Sequence, residues 1–405
     1  MSALPPDPEL QLLVPEHDEP EPELSIVIPA LNEQITIKEF VQWCHQGLEK
    51  AGVKGEILIV DSSTDDTPKL AVEAGARVLR TPKRGLGRAY LDAIPYIRGK
   101  YVVMGDCDCT YDFRELKPFV EKFREGNEFI MGSRFKGYIE PEAMPPLHRY
   151  FGTPATTMIL NVMFASHFSD IHCGMRGLTK DALMRMDLRS QGWEYASEMV
   201  LKSVHMGLKT AEVPIRFLKD RGGRMSHHKR MGWLSPWIAG WDNLRAMFVY
   251  GASFFLYRPG WLMLLLGLTL SVPQALGPVK VGSITFSLHW MLLGVSLAIL
   301  GLLSIFLGIL MQLLFDYSGA RTAKWLGRFK YNRAVPLSLF GFVIGLGLAV
   351  PVAYQYRALG YLLPELGWQS HLAVLGLLVT IASFMSFTFT LVLHATQFAV
   401  RRPNP

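Results

Sequence analysis

The chain has 405 residues, of which half are hydrophobic, and its mean hydropathy is +0.20, so part of it is built for lipid rather than water. A net charge of only +6, without zinc-finger spacing or an RNA-binding signature, excludes a nucleic-acid binder. The four cysteines, Cys44, Cys107, Cys109 and Cys173, form no Cys-X-X-Cys pair and fit a reduced compartment.

Residues 1–23 are rich in Pro, Glu and Asp and lack an apolar signal core, which predicts a disordered leader. From 24 to 230 the pattern is soluble α/β. Apolar runs at Leu24–Pro29, Glu56–Val60, Arg77–Leu79 and Tyr101–Met104 read as strands, and Ile37–Ala51 and Thr67–Ala74 as helices. Strands alternating with helices predict a parallel sheet covered on both faces. Ligands in such sheets lie beyond the carboxyl ends of the strands.

Two stretches have a mixed character. Met144–Ser166 joins His148 and Arg149 to an apolar helical run. The 231–257 region carries Trp233, Trp237 and Trp241 four residues apart, on one helical face. Each reads as a helix lying in a membrane interface or, alternatively, as an amphipathic helix packed on the domain. Within 258–405, apolar segments near 259–277, 288–315, 335–355 and 371–400 are long enough to span a bilayer, the first being interrupted by Pro273. Arg321, Lys324, Arg328, Lys330 and Arg333 crowd one loop and Arg401 and Arg402 the tail, whereas the other loops carry chiefly Lys280 and Arg357. The positive-inside rule therefore predicts an integral membrane protein with its N-terminal domain cytoplasmic.

The strand ends carry the chemistry. Pro29-Ala30-Leu31-Asn32-Glu33 ends the first strand, and Asp61 ends the second, where a carboxylate can accept hydrogen bonds from a nucleoside. Asp65 and Asp66 that follow read as helix caps. Lys83-Arg84-Gly85-Leu86-Gly87 is either a phosphate cradle or a solvated turn. Asp106 and Asp108, one residue apart at the tip of the Tyr101–Met104 strand, can both reach a hard divalent ion that neutralises a diphosphate. Cys107 and Cys109 beside them have no His or further Cys to complete a soft site and read as small fillers.

Taken in order, these motifs resemble the family 2 glycosyltransferases of GT-A fold: Pro29–Glu33, the Asp61–Thr67 run, Arg84–Tyr90, Asp106-Cys107-Asp108, Gly132-Ser133-Arg134, Asp170–Arg176 and Glu212-Val213-Pro214-Ile215. The branch they are most similar to is the polyprenyl-phosphate sugar synthases, such as dolichyl-phosphate mannose synthase. The resemblance implies that Pro29, Ala30, Glu33 and Asp61 line a nucleoside pocket. Asp106 and Asp108 would meet the diphosphate and a Mg²⁺ or Mn²⁺ ion, with Arg84 on the donor side. Arg134 would face an acceptor phosphate with Arg149, and Arg221 could add a cation. Asp170, which opens the acceptor loop, would orient the acceptor, act as a base, or cap the loop. The partners implied are a GDP- or UDP-sugar, a polyprenyl phosphate and the membrane; homo-oligomerisation stays open. Thr110 stands where the family often has Gln, which leaves a third metal ligand unassigned, and Ser226-His227 stands where Ser-Lys is common, which leaves that corner without an assigned role. Two other readings are a processive polysaccharide synthase, for which the usual Gln-X-X-Arg-Trp string is missing, and a non-catalytic membrane scaffold, against which both donor motif and carboxylates are present.

Overall fold

The computed structural model describes residues 9–164, 166–221, 245, 248, 251, 253–314, 316, 319–362 and 367–399. The chain divides into two compact units, Met1–Val249 and Tyr250–Pro405. The tryptophans at 233, 237 and 241, the Ser226-His227 pair and the arginine tail lie outside the described residues.

In the first unit, β1 (Gln11–Leu13), β2 (Leu24–Ala30), β3 (Gly55–Asp61), β4 (Arg77–Arg80), β5 (Tyr101–Met104), β6 (Phe129–Ile139), β7 (Arg176–Thr179) and β8 (Thr210–Phe217) form one sheet in the order β1-β4-β3-β2-β5-β7-β6-β8. Helices α1 (Ile37–Ala51), α2 (Thr67–Glu73), α3 (Leu86–Ala93) and α4 (Lys117–Arg124) connect the early strands. Leu24, Val27, Ile28 and Leu58 are wholly buried, as expected of near-continuous apolar strands covered on both faces. Asp65, one of the two expected caps, accepts hydrogen bonds from Thr67 N at 3.0 Å and Thr67 Oγ1 at 2.5 Å, whereas Asp66 occupies the cap position without a side-chain bond.

Two expectations need correction. The sheet is mixed: β7 runs antiparallel to both β5 and β6, because the chain reaches the carboxyl ends of the strands at residues 170–175 and can only return downwards from there. That reversal sets Arg176 opposite Met104 on one side and Met131 on the other, with Glu212 beyond Met131. Four motifs far apart in sequence thus become neighbours. Second, described residues of the expected disordered leader are ordered. Gln11–Leu13 pairs antiparallel with β4, Leu12 opposite Leu79, and covers what would otherwise be a bare sheet edge. Asp18 then anchors the segment through two bonds to Arg98, at 2.7 and 2.9 Å.

After β6, a π-helical turn at His148–Gly152 leads into α5 (Thr153–Phe164), in the stretch read as interfacial. Its exposed apolar side chains include Leu147, Tyr150, Phe151, Met158 and Val162. α6 (Lys180–Met186) and α7 (Glu194–His205) precede β8.

The second unit holds α8 (Arg258–Ser271), a short hairpin of β9 (Val279–Val281) and β10 (Ile284–Phe286), α9 (Leu288–Leu314), α10 (Ala320–Arg328), α11 (Tyr331–Ala358) and α12 (Trp368–Ala399). Among the described residues, four helices are long and apolar enough to cross a membrane: Ser253–Gln274, Leu288–Leu314, Tyr331–Ala358 and Trp368–Thr396. The first starts at Ser253, because a π-helical turn at Ser253–Tyr257 runs straight into α8, so the expected boundary at 257/258 falls inside a helix. It ends at Gln274, where Pro273 cannot supply a helical N–H. α8 and α9 pack backbone to backbone: a Cβ on Gly267 would sit 2.3 Å from Ala298 N, the close approach that small residues allow in lipid. On α10, Trp325 is buried in a cluster with Phe306, Ile309 and Phe389, while Arg321, Lys324 and Arg328 are exposed.

Candidate functional site

At the carboxyl ends of β2 and β3, Pro29 is half-buried, Ala30 is buried and Asp61 is fully buried. Asn32 adopts a left-handed conformation, φ 55°, and ties the two loops together: its N–H donates to Ser63 Oγ at 2.7 Å and its Oδ1 accepts from Thr64 N at 2.9 Å. Glu33 is turned inwards, 2% exposed, with its N–H bonded to Thr67 Oγ1 at 2.9 Å. Of the expected pocket residues, Glu33 and Asp61 are thus both buried. Arg80, which the motif reading had not singled out, pairs with Asp61 and donates to Ser63 O at 3.0 Å. Register explains the pairing, since Arg80 stands opposite Asp61 at the end of the adjacent strand. Burial pushes the Asp61 carboxyl up, against the opposing pull of Ser63 and Arg80. Arg84 at the next turn is paired with Glu9.

Asp106 and Asp108 follow β5 and are both half-buried. Asp108 Oδ1 accepts from Thr110 N at 3.0 Å and Thr110 Oγ1 at 2.5 Å, a turn made possible by Cys109 at φ 59°. Thr110 thus folds the loop. Tyr90 of α3 supports the same corner, its hydroxyl donating to Gly105 O at 3.1 Å. Among the described residues no three His, Cys, Asp or Glu side chains converge. Two carboxylates at a strand tip nonetheless suit an ion such as Mg²⁺, which is commonly held by one or two carboxylates together with substrate phosphates.

The acceptor loop faces this corner directly, a Cβ on Gly174 being only 2.8 Å from Asp106 Oδ2. Asp170 and Arg134 are brought together, but in an arrangement the sequence did not foretell. Arg134 donates through Nε at 2.6 Å, Nη2 at 2.8 Å and its backbone N–H at 3.2 Å, so Asp170 receives a bidentate fork plus an amide. Asp170 is 0% exposed and Arg134 9%. Burial works against the guanidinium's charge, yet Tyr111 and Asp170 outweigh it and hold Arg134 firmly protonated. Both carboxylate oxygens of Asp170 are engaged by Arg134, which places the carboxylate to orient the guanidinium.

Arg176, the buried last residue of the Asp170–Arg176 motif, to which the motif reading gave no role, stitches the loop from beneath, donating to Cys173 O at 2.8 Å and Ile171 O at 3.1 Å and reaching Ala196 O on α7. Gly174 N donates to Tyr111 Oη at 2.8 Å. His172 Nε2 lies 2.8 Å from Thr156 Oγ1 on α5, and burial, helped by Arg134, pulls its pKa down to about 4. Beside the Arg134–Asp170 pair opens a groove of about 590 Å³ lined by Phe135, Pro154, Met158, Val162, Phe168 and polar groups of the same segments. Arg149 lies at the entry to α5, its guanidinium 5.6 Å from the Tyr150 ring. Arg221 is held elsewhere: it bonds Glu39 at 2.5 Å and stacks over Trp43 of α1, which removes it from the acceptor group.

Residues 25–186 match the model of the Glycosyl transferase family 2. Dolichyl-phosphate hexose transferase of Haloferax volcanii is 30% identical over 171 residues, covering 42% of this chain and 72% of that protein. The chain belongs to glycosyl transferase family 2. The Low-salt glycan biosynthesis hexosyltransferase Agl6 of the same organism is 39% identical over 264 residues, 64% of this chain and 61% of that protein, so this chain spans less than two thirds of that relative. Mannosyl-3-phosphoglycerate synthase from Rubrobacter xylanophilus superposes with a TM-score of 0.43 at 22% identity, over 56% of this chain and 72% of that one; at that score the overlap adds nothing to the assignment. The α/β unit is GT-A-like, as the order of motifs implied, and four long apolar helices follow it.

Proposed function

We propose that the chain is a glycosyltransferase that moves a hexose from a nucleotide diphosphate-sugar to a polyprenyl phosphate at the cytoplasmic face of a membrane. The observation that carries this reading is the meeting of two unlike features at one loop: the Asp106–Asp108 corner on one side of residues 170–174, and the Arg134–Asp170 pair beside an apolar groove on the other. The first suits a diphosphate and the second a phosphate that ends an apolar chain. The family match, the four apolar helices and a relative named for dolichyl-phosphate hexose transfer support the same reading.

In this account the nucleoside lies against Pro29, Ala30 and Asp61, with Arg84 on the phosphate side. Mg²⁺ or Mn²⁺, held by Asp106 and Asp108 with the donor's own phosphates, would neutralise the departing diphosphate. Arg134 keeps one guanidinium edge on Asp170 and offers the remainder of its donors to the acceptor phosphate, and Arg149 supplies a further cation at the membrane side. A phosphate monoester loses its second proton near pH 6, so an acceptor oxygen can attack the anomeric carbon in line, with inversion, without a protein base. That fits the engaged state of Asp170. Catalysis then rests on bringing two anions together in line. Incubating membranes that contain the protein with a panel of radiolabelled GDP- and UDP-sugars tests the reading: one label should become butanol-extractable and labile to mild acid, and no transfer from any donor would defeat it.

A further inference from the structure

We propose that Glu198, together with Lys202, is a positioning residue for the donor diphosphate, acting through the loop 187–192. The inference rests on the reading that the Lys83–Arg88 turn holds donor phosphate.

The loop between α6 and α7 leans on that turn with bare backbone. A Cβ on Gly85 would lie 2.4 Å from Gln191 O, and one on Gly87 would lie 2.3 Å from Ser190 O, so nothing but glycine lets the two chains meet. Arg88 N–H, in the first turn of α3, donates to Gln191 O at 3.0 Å. Any movement of residues 190–191 is therefore passed to the turn and to the start of α3. Through α3 it also reaches the metal corner, because Tyr90 stacks on Tyr195 of α7 at 5.2 Å and its hydroxyl bonds Gly105 O.

The loop itself is held by two charges on α7. Glu198 accepts from Ser190 N at 2.8 Å and from Arg189 N at 3.1 Å, while Lys202 donates to Asp187 O at 2.7 Å and to Glu198 Oε1 at 2.6 Å. Both side chains are 1% exposed, and Asp187 sits in the left-handed region at φ 45°. Burial alone would raise the Glu198 carboxyl, but Lys202 and the Ser190 amide bring it below its usual range. A pair of ions this deeply buried contributes little net stability over an apolar pair of the same shape, because desolvation offsets the attraction. What it does supply is direction: three backbone groups of one loop are fixed by charge-assisted bonds.

The test uses the full chain in detergent, titrated with the nucleotide-sugar that the transfer assay identifies as donor, alongside Michaelis constants for donor and polyprenyl phosphate. Glu198→Gln should weaken donor affinity by about tenfold and leave the acceptor Michaelis constant unchanged. Gly87→Ala, which presses the same contact from the other side, should do likewise. The double variant Glu198→Gln/Lys202→Met removes the buried charges at nearly constant volume and should recover thermal stability without recovering donor affinity. Recovery of both would assign the pair a merely structural role and overturn the proposal. Asp18→Ala is the control: it removes both bonds to Arg98, just before β5 at the amino ends of the strands, and should lower stability with donor affinity intact. Arg84→Ala separates the two layers of inference. Lost donor affinity there with wild-type affinity in Glu198→Gln overturns the brace alone; wild-type affinity in both overturns the role of the turn and the brace with it.

Discussion

Replacing Asp170 by Asn tests the arrangement at the acceptor loop, where the motifs alone left orienting the acceptor, acting as a base and capping the loop open. Asp170 receives three bonds from Arg134, at 2.6, 2.8 and 3.2 Å, and the pair is almost excluded from solvent, at 0% and 9% exposure. Breaking a buried ion pair by removing one partner costs about 3–5 kcal/mol. Asn keeps one acceptor oxygen, which places the loss near the lower end, about 3 kcal/mol. At about 2–4 °C per kcal/mol for a domain of this size, the α/β unit should melt about 6–12 °C lower. The cysteines offer a selective readout, since Cys44, Cys107, Cys109 and Cys173 are outside any disulfide, buried and within the first unit. A thiol-reactive dye added during heating therefore reports on that unit and not on the apolar helices. Transfer should fall along with stability, because Arg134 loses the partner that aims it. A shift below about 2 °C, on the same scale, would mean that the fork contributes little and that Asp170 must act on substrate after all.

Asp108→Asn, which removes a carboxylate charge at nearly constant volume, should lower turnover by at least about tenfold with the melting temperature little changed; full activity of that variant, or of the native protein in EDTA, would remove the metal from the account. For topology, Ser283→Cys in the turn of the β9–β10 hairpin should react with an impermeant thiol reagent in intact cells, and Ala323→Cys on α10 only after cells are opened; the reverse pattern would invert the orientation. His172 is held neutral, with a pKa near 4 against 6.5 for the free side chain, so the stability it contributes is complete above pH 6.5 and is lost as pH falls towards 4. That loss amounts to about 3 kcal/mol, and in His172→Gln the fall between those two pH values should be shallower by that amount; parallel pH profiles would contradict it.

Much of this architecture is legible in the residues because local pattern and global fold agree. Ile37–Ala51 is a helix with Ile37, Phe40, Val41, Cys44 and Leu48 on its buried face, and Tyr101–Met104 is a buried strand with the boundaries the apolar run implies. The four apolar segments behave likewise, since length and hydropathy alone define them. What stayed hidden is whatever depends on partners distant in sequence. The direction of β7 follows from where the chain stands when it leaves residue 175, which no periodicity records. Arg80 and Glu198 are single charged residues in otherwise unremarkable runs, and Arg176 closes a motif that assigns it no role; only register and packing give them Asp61, the amides of Arg189 and Ser190, and the loop carbonyls of Ile171 and Cys173 as partners. The Pro- and Glu-rich leader misled because composition averages over a short Leu-rich run, Leu10 to Val14, that a bare strand edge can recruit. Arg134 was found by its motif, while its pairing with Asp170, a residue the motifs left open between acceptor, base and cap roles, shows only in the packing.

The most direct measurement compares acceptors. Purified full-length protein, its identified nucleotide-sugar and a divalent ion are supplied with either a polyprenyl phosphate or the dephosphorylated polyprenol of the same length, and the lipid products are weighed by mass spectrometry. The account predicts a hexosylated polyprenyl phosphate, formed in step with release of the nucleoside diphosphate, and no product from the alcohol. Equal glycosylation of the alcohol, or transfer that ignores the lipid in favour of a soluble acceptor, would contradict it.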